Sequence, residues 1–326
     1  MSGSSSPIRT IVIGAGISGL IAARELAAAG RDVTVLDKGR GVGGRLATRR
    51  IGEARLDHGA QFFTVRSDEF AALTHDWLAA DVAFEWCRGF SATADGYPRY
   101  AVHGGMSALA KHLAGQLDVR CNTLVFMIRR TTAGWEVVLD DGSVLACADL
   151  VVTCPLPQAF SLLVEAQVDL PEALWRTEYD RTIALLAVLD RSSGVPTPGG
   201  VQNIPATADG APGYTFICDN QAKGVSAVPA LTMHTDPAWS DANWDTDGVA
   251  VHAALIEAAS PWLGGATIVE SQVKRWRFAT PRTIWPEQCW QDPQAPTLVV
   301  AGDAFAGPRV EGAACSGLAA ARALLR

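Results

Sequence analysis

The seven cysteines of this chain (Cys87, Cys121, Cys147, Cys154, Cys218, Cys289 and Cys315) contain no CxxC pair. An odd and dispersed set of this kind excludes a disulfide framework and a cysteine-based zinc site, and it suits reduced thiols in a cytosol. The histidines at 58, 75, 103, 112, 234 and 252 lack metal-ligand spacing, so no metal is expected. No uninterrupted apolar run reaches the length of a membrane span. The leader Met1–Ser6 is polar and has no basic n-region, which argues against a secretory signal. Charged residues make up 19% of the chain and the formal net charge is −7, so there is no basic footprint for nucleic acid. No internal repeat occurs. What is left is a chain of 326 residues, 48% of them hydrophobic, with room for two domains. It reads as a soluble cytoplasmic protein with neither nucleic acid nor membrane as partner.

The stretch from 10 to 45, TIVIGAGISGLIAARELAAAGRDVTVLDKGRGVGGR, organises the rest. Ile11-Val12-Ile13 is short and β-branched, as a buried parallel strand is. Gly14, Gly16 and Gly19 follow at GxGxxG spacing and open an Ala/Leu-rich helix that should stop at Gly30. A second strand, Val33–Leu36, ends on Asp37. Each residue type has a reason to be there. Gly14 makes a tight turn, Gly16 lets backbone approach a pyrophosphate, and Gly19 lets helix pack on strand. The helix N-terminus offers N–H groups to phosphate, and Asp37, eighteen residues beyond Gly19, can accept from a ribose diol. A glycine-rich turn alone would be weak, but strand, glycines, helix, strand and acid stand in order. The second glycine loop, Arg40–Arg45, is more than a nicotinamide nucleotide needs, and it favours FAD.

Farther on, Ser67 is expected to cap a helix to Ala80 with Phe70, Leu73, Trp77 and Leu78 on one face. Strand-like pieces occur around Phe84-Glu85-Trp86 and Arg99–Val102 in an otherwise irregular stretch. Gly104-Gly105-Met106 leads into a helix carrying Leu109 and Leu113. Strands are expected at Val119–Ile128, Trp135–Asp140, Ser143–Cys147 and Leu150–Thr153, with Asp141-Gly142 as a hairpin turn. Short helices fall near Ala159–Glu165 and a strand at Thr182–Leu189. The Gly/Pro-rich segment Ser192–Gly213 reads as a loop. A helix follows at Gly248–Ala259, then a long strand at Thr267–Phe278 and a buried strand from Leu298 to Asp303, and the small-residue helix Gly312–Leu325 closes the chain. Six of the ten tryptophans lie between 239 and 290, a concentration that suggests an aromatic pocket wall.

Five motifs together carry a resemblance: the GxGxxG of Gly14–Gly19, GVGGR at 41–45, DHGAQFF at 57–63, HGGMSAL at 103–109 and AGDAFAGPRVEGAACSG at 301–317. They resemble the flavin amine-oxidase superfamily, and with WRFATP at 276–281 they look most like its bacterial renalase-like FAD oxidoreductases. The resemblance touches the whole length and is faintest from about 158 to 265. It implies an α/β fold: a Rossmann-like FAD-binding domain of the amine-oxidase type (1–75, 101–157 and 290–326), with an inserted α+β substrate domain (76–100 and 158–289). It implies non-covalent FAD, since no cysteine stands in the setting used for covalent attachment. Gly14, Gly16, Ser18, Gly19, Asp37, Lys38 and Gly44 would bind the cofactor. Arg45 would meet the pyrophosphate, and Ala60 and Gln61 the ribityl side. Gly105 and Met106 would line the cofactor channel. Gly302 and Asp303 would lie at the phosphate–ribityl region, and Val310 and Glu311 at the flavin pyrimidine edge.

The renalase-like group oxidises the 2- and 6-dihydro isomers of NAD(P)H and passes the electrons to oxygen, giving hydrogen peroxide. That chemistry needs stacking at near-attack distance rather than a strong base, so no catalytic residue is named. Trp276 and Phe278 share a strand face, with Arg277 on the other; a pocket wall and ordinary core packing both remain open. Arg277 or Arg282 could hold a substrate phosphate or simply sit on the surface. Lys274 is the nearest candidate for a flavin-facing lysine, although strand alternation could equally aim it at solvent. Asp57 can be read as tying a turn, and Glu311 as a helix N-terminal charge. Two other classes stand beside the oxidase: a flavin amine oxidase or FAD-dependent desaturase, and a non-redox flavin-binding isomerase or carrier.

Overall fold

The computed structural model describes residues 8–90, 95–208 and 210–326; the polar leader lies outside the described residues. The chain divides into two compact units, one running to Gly44 and resuming over Ala110–Glu178 and Pro281–Arg326, the other holding Arg45–Leu109 and Tyr179–Thr280. Residues 45–75 and 101–109 thus go with the second unit, and 158–178 and 281–289 with the first.

The first unit is a Rossmann-like layer built on a six-stranded sheet. Its order is Trp290–Gln291, Leu298–Val300, Asp149–Val152, Arg9–Ile13, Asp32–Leu36, Asp118–Arg120. All neighbours are parallel except the outermost pair, Trp290–Gln291 with Leu298–Val300. Ile11, Val12 and the strand Leu150–Val152 are wholly buried, which is why these strands are unbroken apolar runs rather than alternating ones. The helix Ile17–Ala28 follows the first strand and ends as expected. Gly30 takes φ +86°, and the N–H groups of Gly30 and Arg31 return to the carbonyls of Ala27 and Leu26, closing the last turn. The final helix, Val310–Leu325, packs against it at small residues. A Cβ on Gly317 would collide with the Ser18 carbonyl oxygen, so the two ends of the chain meet with backbones in contact.

One expected strand is in fact two. Val119–Ile128 divides into Asp118–Arg120, on the edge of the large sheet, and Val125–Thr131, in a separate three-stranded meander with Gly134–Leu139 and Val144–Cys147. Asn122 turns the chain at φ +52°, a conformation asparagine tolerates better than most residues. The N–H groups of Asn122 and Thr123 donate to the carbonyls of Gly39 and Asp37 at 2.8 and 2.9 Å. The Asp141-Gly142 turn is present, with Gly142 at φ +84°.

The second unit is built on a five-stranded sheet ordered Gly200–Ile204, Tyr214–Asp219, Ala230–Thr235, Tyr179–Leu189, Ile268–Pro281. The helix Gly248–Ala259, found at its expected bounds, lays Val251, Leu255 and Ala259 on the core beside Leu185, Leu231 and Met233. Each fully buried aliphatic side chain there contributes about 1.5–3 kcal/mol. The loop expected over 192–213 contains the strand Gly200–Ile204. It lies on the sheet edge, where glycine-rich sequence is tolerated. Ser67 caps the helix Asp68–Ala79 by accepting from the Phe70 N–H. On that helix Phe70, Thr74 and Trp77 are buried, whereas Leu78 is 38% exposed; the buried stripe runs i, i+4, i+7 and passes Leu78 by.

Of the six tryptophans at 239–290, Trp276 stacks on the His58 ring. Trp239, Trp244 and Trp262 pack against the second unit's core, and Trp285 and Trp290 belong to the first unit. The second unit also holds an aromatic cluster of Phe62, Trp86, Phe90 and Phe216, with ring centroids 5.0–6.4 Å apart. Among the described residues, no helix is long and apolar enough to cross a membrane.

Candidate functional site

In the first unit expected cofactor residues follow the carboxyl end of the strand Arg9–Ile13, which lies parallel beside Asp149–Val152 in the sheet. That is where open α/β sheets bind ligands. Gly14 turns at φ +109°, and a Cβ there would sit 2.6 Å from the Thr153 hydroxyl. A Cβ on Gly19 would strike the Gly14 carbonyl oxygen, so helix and turn are in direct contact. Gly16 is different: a Cβ there would meet nothing within 4 Å. Space, rather than packing, is what this glycine preserves.

The glycine helix begins with Gly16 as N-cap, has no side-chain cap and carries no acid in its first turn. Ser18 is buried, and its hydroxyl has no hydrogen-bond partner. An uncapped helix N-terminus beside open space and an unsatisfied hydroxyl is chemistry suited to a pyrophosphate. The second glycine loop lies against the first: Gly43 N–H donates to Ala15 O at 2.8 Å, and Gly16 bridges Gly43. Gly44 takes φ +51°.

Asp37 holds this loop system together. Its Oδ2 accepts from the Ala15 N–H at 2.7 Å and its Oδ1 from the Gly39 N–H at 2.6 Å. Each carboxylate oxygen can accept a second bond, so ribose hydroxyls can still be received. Lys38 reaches Gln158 at 3.1 Å. From the other end of the chain, Gly302 at φ +143° donates its N–H to Ser316 Oγ at 2.8 Å, and Asp303 follows it, buried. Val310 and Glu311, both half-buried, open the closing helix. The turn, the uncapped helix N-terminus and Asp37 therefore fit the pyrophosphate and a ribose of a dinucleotide.

In the second unit the expected residues converge on Asp57, which is wholly buried. Its Oδ1 accepts from the Thr48 hydroxyl at 2.6 Å and the Met106 N–H at 2.8 Å, and its Oδ2 accepts from Lys223 Nζ at 2.8 Å. A Cβ on Gly105 would lie 2.5 Å from Thr48 Cγ2 and 2.8 Å from Asp57 Oδ1. Gln61 donates its amide to the carbonyls of Asp57 and Gly59. Ala60 N–H donates to Arg45 O at 2.8 Å. Arg45 donates to the carbonyls of Phe278 and Ala279 and lies over the Tyr179 ring.

Lys223 has no warning in the sequence. It is 1% exposed and spends its ammonium group on Asp57 Oδ2, Gln61 O and Gln61 Oε1. Burial alone would lower its pKa, yet the Asp57 charge holds it raised. With its ammonium group engaged by these buried acceptors, it is a structural cation.

His58 lies within the DHGAQFF motif, and its surroundings are specific. Its ring stacks on Trp276 with centroids 5.2 Å apart and planes at 22°. Its carbonyl accepts from Trp276 Nε1 at 2.6 Å and from His234 Nε2 at 3.1 Å. A carbonyl only accepts, so His234 carries its proton on Nε2. Burial lowers the pKa of both imidazoles to about 4; at His58 the charge of Lys274 adds to this. Phe278 meets Tyr179 edge-on. Arg277 is exposed between these two half-buried aromatics, as the two-residue period requires.

These imidazoles set a pH dependence. The unfolded chain titrates its histidines near about 6.5, whereas the folded pair stays neutral down to about 4. Between those values the unfolded state binds more protons, so stability is full above the window and falls as pH drops through it. The urea midpoint should hold from pH 8 to 7 and decline from 6.5 towards 4, and His234→Gln should decline less steeply than the wild type. Parallel declines in the two proteins would show that His234 is not the source.

Residues 12–77 match a model of the NAD(P)-binding Rossmann-like domain, and residues 71–325 match the flavin containing amine oxidoreductase model. A putrescine oxidase of Kocuria rosea is 42% identical over 66 residues, 20% of this chain and 14% of that protein. A hydroxyneurosporene desaturase of Rubrivivax gelatinosus is 44% identical over 63 residues, 18% of this chain and 12% of that protein. The chain thus matches a small fraction of the length of these relatives. Among solved structures, one from Exiguobacterium sp. 255-15 with a provisional protoporphyrinogen oxidase designation superposes with a TM-score of 0.75 at 15% identity. That match covers 99% of this chain and all of the other, and it shows a common fold. With a family model spanning most of its length, the chain belongs to the flavin containing amine oxidoreductase family, and its cofactor is FAD.

Proposed function

We propose that the protein is an FAD-dependent oxidase of reduced nicotinamides in their 2- and 6-dihydro forms, which yields NAD(P)+ and, with oxygen and a proton, hydrogen peroxide. The observation that carries this reading is the neutral His58–Trp276 stack. A dihydropyridine becomes aromatic on losing hydride, so it needs a flat apolar wall and position rather than a charged base. The second unit offers that wall and ties up its buried lysine on Asp57.

Bound FAD supplies the two-electron acceptor, and the protein supplies placement and electrostatics. In the first unit the N–H groups after Gly16 and the Ser18 hydroxyl would receive the pyrophosphate, with Asp37 receiving the ribose hydroxyls. Lys38, Gly44, Gly302, Asp303, Val310 and Glu311 would complete that unit's share. Arg45, Ala60, Gln61, Gly105 and Met106 would act from the second unit, chiefly by holding backbone in place around Asp57. Trp276 and Phe278 would confine the reduced ring. Arg277, on the opposite strand face, would take no part in that wall.

Anaerobic mixing of the FAD-loaded protein with 2-dihydro-NAD(P) tests the proposal. Rapid bleaching of the flavin by this isomer, and none by putrescine, is the expected result. Bleaching by putrescine alone would place the protein with the amine oxidases, and bleaching by neither would favour a flavin-binding isomerase or carrier.

A further inference from the structure

Several donors around the His58–Trp276 stack are spent inside the protein. Trp276 Nε1 and His234 Nε2 both donate to the His58 carbonyl, at 2.6 and 3.1 Å. Lys223 Nζ is taken by Asp57 and Gln61, and the Gln61 amide by the carbonyls of Asp57 and Gly59. The His58 ring differs. Its face lies on Trp276 with centroids 5.2 Å apart, and its Nδ1 is enclosed without a hydrogen-bond partner. The residue as a whole is only half-buried, so the open edge of the ring is the one that carries Nε2.

This arrangement fixes the tautomer. A proton on Nδ1 would be a buried donor with no acceptor, a costly and rare arrangement, whereas a proton on Nε2 stands where solvent or a ligand can accept it. Burial lowers the pKa of the ring to about 4, so at neutral pH it is an uncharged imidazole with a single N–H. Two donors hold the carbonyl of the same residue and the stack holds the ring, so that N–H has a fixed direction.

We propose that His58 is a specificity-determining residue whose Nε2–H donates to the oxygen of the carboxamide on the dihydronicotinamide ring. The inference rests on the oxidase reading above and names the part of the substrate that is recognised. The N–H lies in the plane of the imidazole, so the amide oxygen is met at the open edge of the stack and not on its face. An uncharged donor also suits the chemistry. Loss of hydride leaves the substrate ring a cation, which a charged donor at this place would oppose and a neutral one does not. His58 therefore reads a ring substituent and takes no part in making or breaking bonds.

Simple pyridines test this on the FAD-loaded protein without turnover. Nicotinamide and 3-acetylpyridine both carry a carbonyl oxygen on the ring substituent, and 3-methylpyridine has none. The first two are expected to bind alike and 3-methylpyridine about fivefold more weakly, the order of one neutral hydrogen bond. His58→Phe keeps a ring against Trp276 and removes the N–H. It should retain FAD and bind all three pyridines with the weaker affinity. Equal affinity for the three in the wild type would overturn the inference. Nitrogen NMR of the wild-type imidazole gives a readout that does not depend on how a variant folds. Nε2 should carry the proton, and nicotinamide should shift its resonance where 3-methylpyridine does not. A proton on Nδ1, or no shift with nicotinamide, overturns the inference and leaves the oxidase reading to flavin bleaching. A nicotinamide shift in a protein whose flavin no dihydronicotinamide bleaches would keep His58 as a carboxamide site and remove the oxidase reading.

Discussion

Replacing Lys223 by Met should lower the unfolding free energy by about 3–5 kcal/mol, the cost of leaving a buried carboxylate without its counter-charge. Asp57 and Lys223 are both wholly buried at the side chain and lie 2.8 Å apart, so water cannot take over the missing role. Asp57 also holds the Thr48 hydroxyl and the Met106 N–H, so its destabilised carboxylate would loosen a hairpin and the start of a helix together. The Asp57→Asn/Lys223→Met double variant should recover part of the loss, because neither partner is then a lone charge. A chemical-denaturation cycle over the four proteins reads this directly. If the two single losses simply add in the double variant, the residues are not acting as a pair.

Changing Gly19 to Val should abolish FAD retention, with Gly19→Ala intermediate. Any Cβ at this position collides with the Gly14 carbonyl oxygen, and the Thr153 hydroxyl is 2.8 Å away. These are backbone and a hydroxyl already bonded to the Ile13 and Gly14 carbonyls at 3.0 and 3.2 Å, so neither can yield. The helix would have to lift from the turn, carrying its N–H groups away from where a pyrophosphate sits. Gly16→Ala offers the contrast, since open space surrounds that position. It should fold normally and lose FAD only through contact with the ligand. FAD content after desalting measures both, and a Gly19→Val protein that keeps its flavin would contradict the close packing described here.

What the sequence disclosed followed the range of the interactions. The glycine turn, the Ser67 cap and the helix Gly248–Ala259 are set by residues a few positions apart, and all three stand where the spacing puts them. Tyr214–Asp219 and Ala230–Thr235 went unread because both faces are covered, which removes the alternation that marks a half-buried strand. The division of 119–128 hinges on one residue, Asn122, whose φ of +52° is a weak signal beside the apolar residues that follow it. The Asp57–Lys223 pair was out of reach for a different reason. Its members are 166 residues apart, and a lone lysine in a polar turn reads as solvated until the fold brings its acid to it. His58 falls inside the DHGAQFF motif, whereas His234 and Arg49 stand in no motif.

The claim on which the rest depends is that one FAD is held at the glycine turn and closing helix, which the two ends of the chain bring together. The most direct measurement is the flavin content of the purified protein, read from its visible spectrum and from the nucleotide released on denaturation. A yellow protein that releases FAD in near-equal amount to chain is the predicted result. A colourless protein that takes up no FAD when incubated with it would contradict the account.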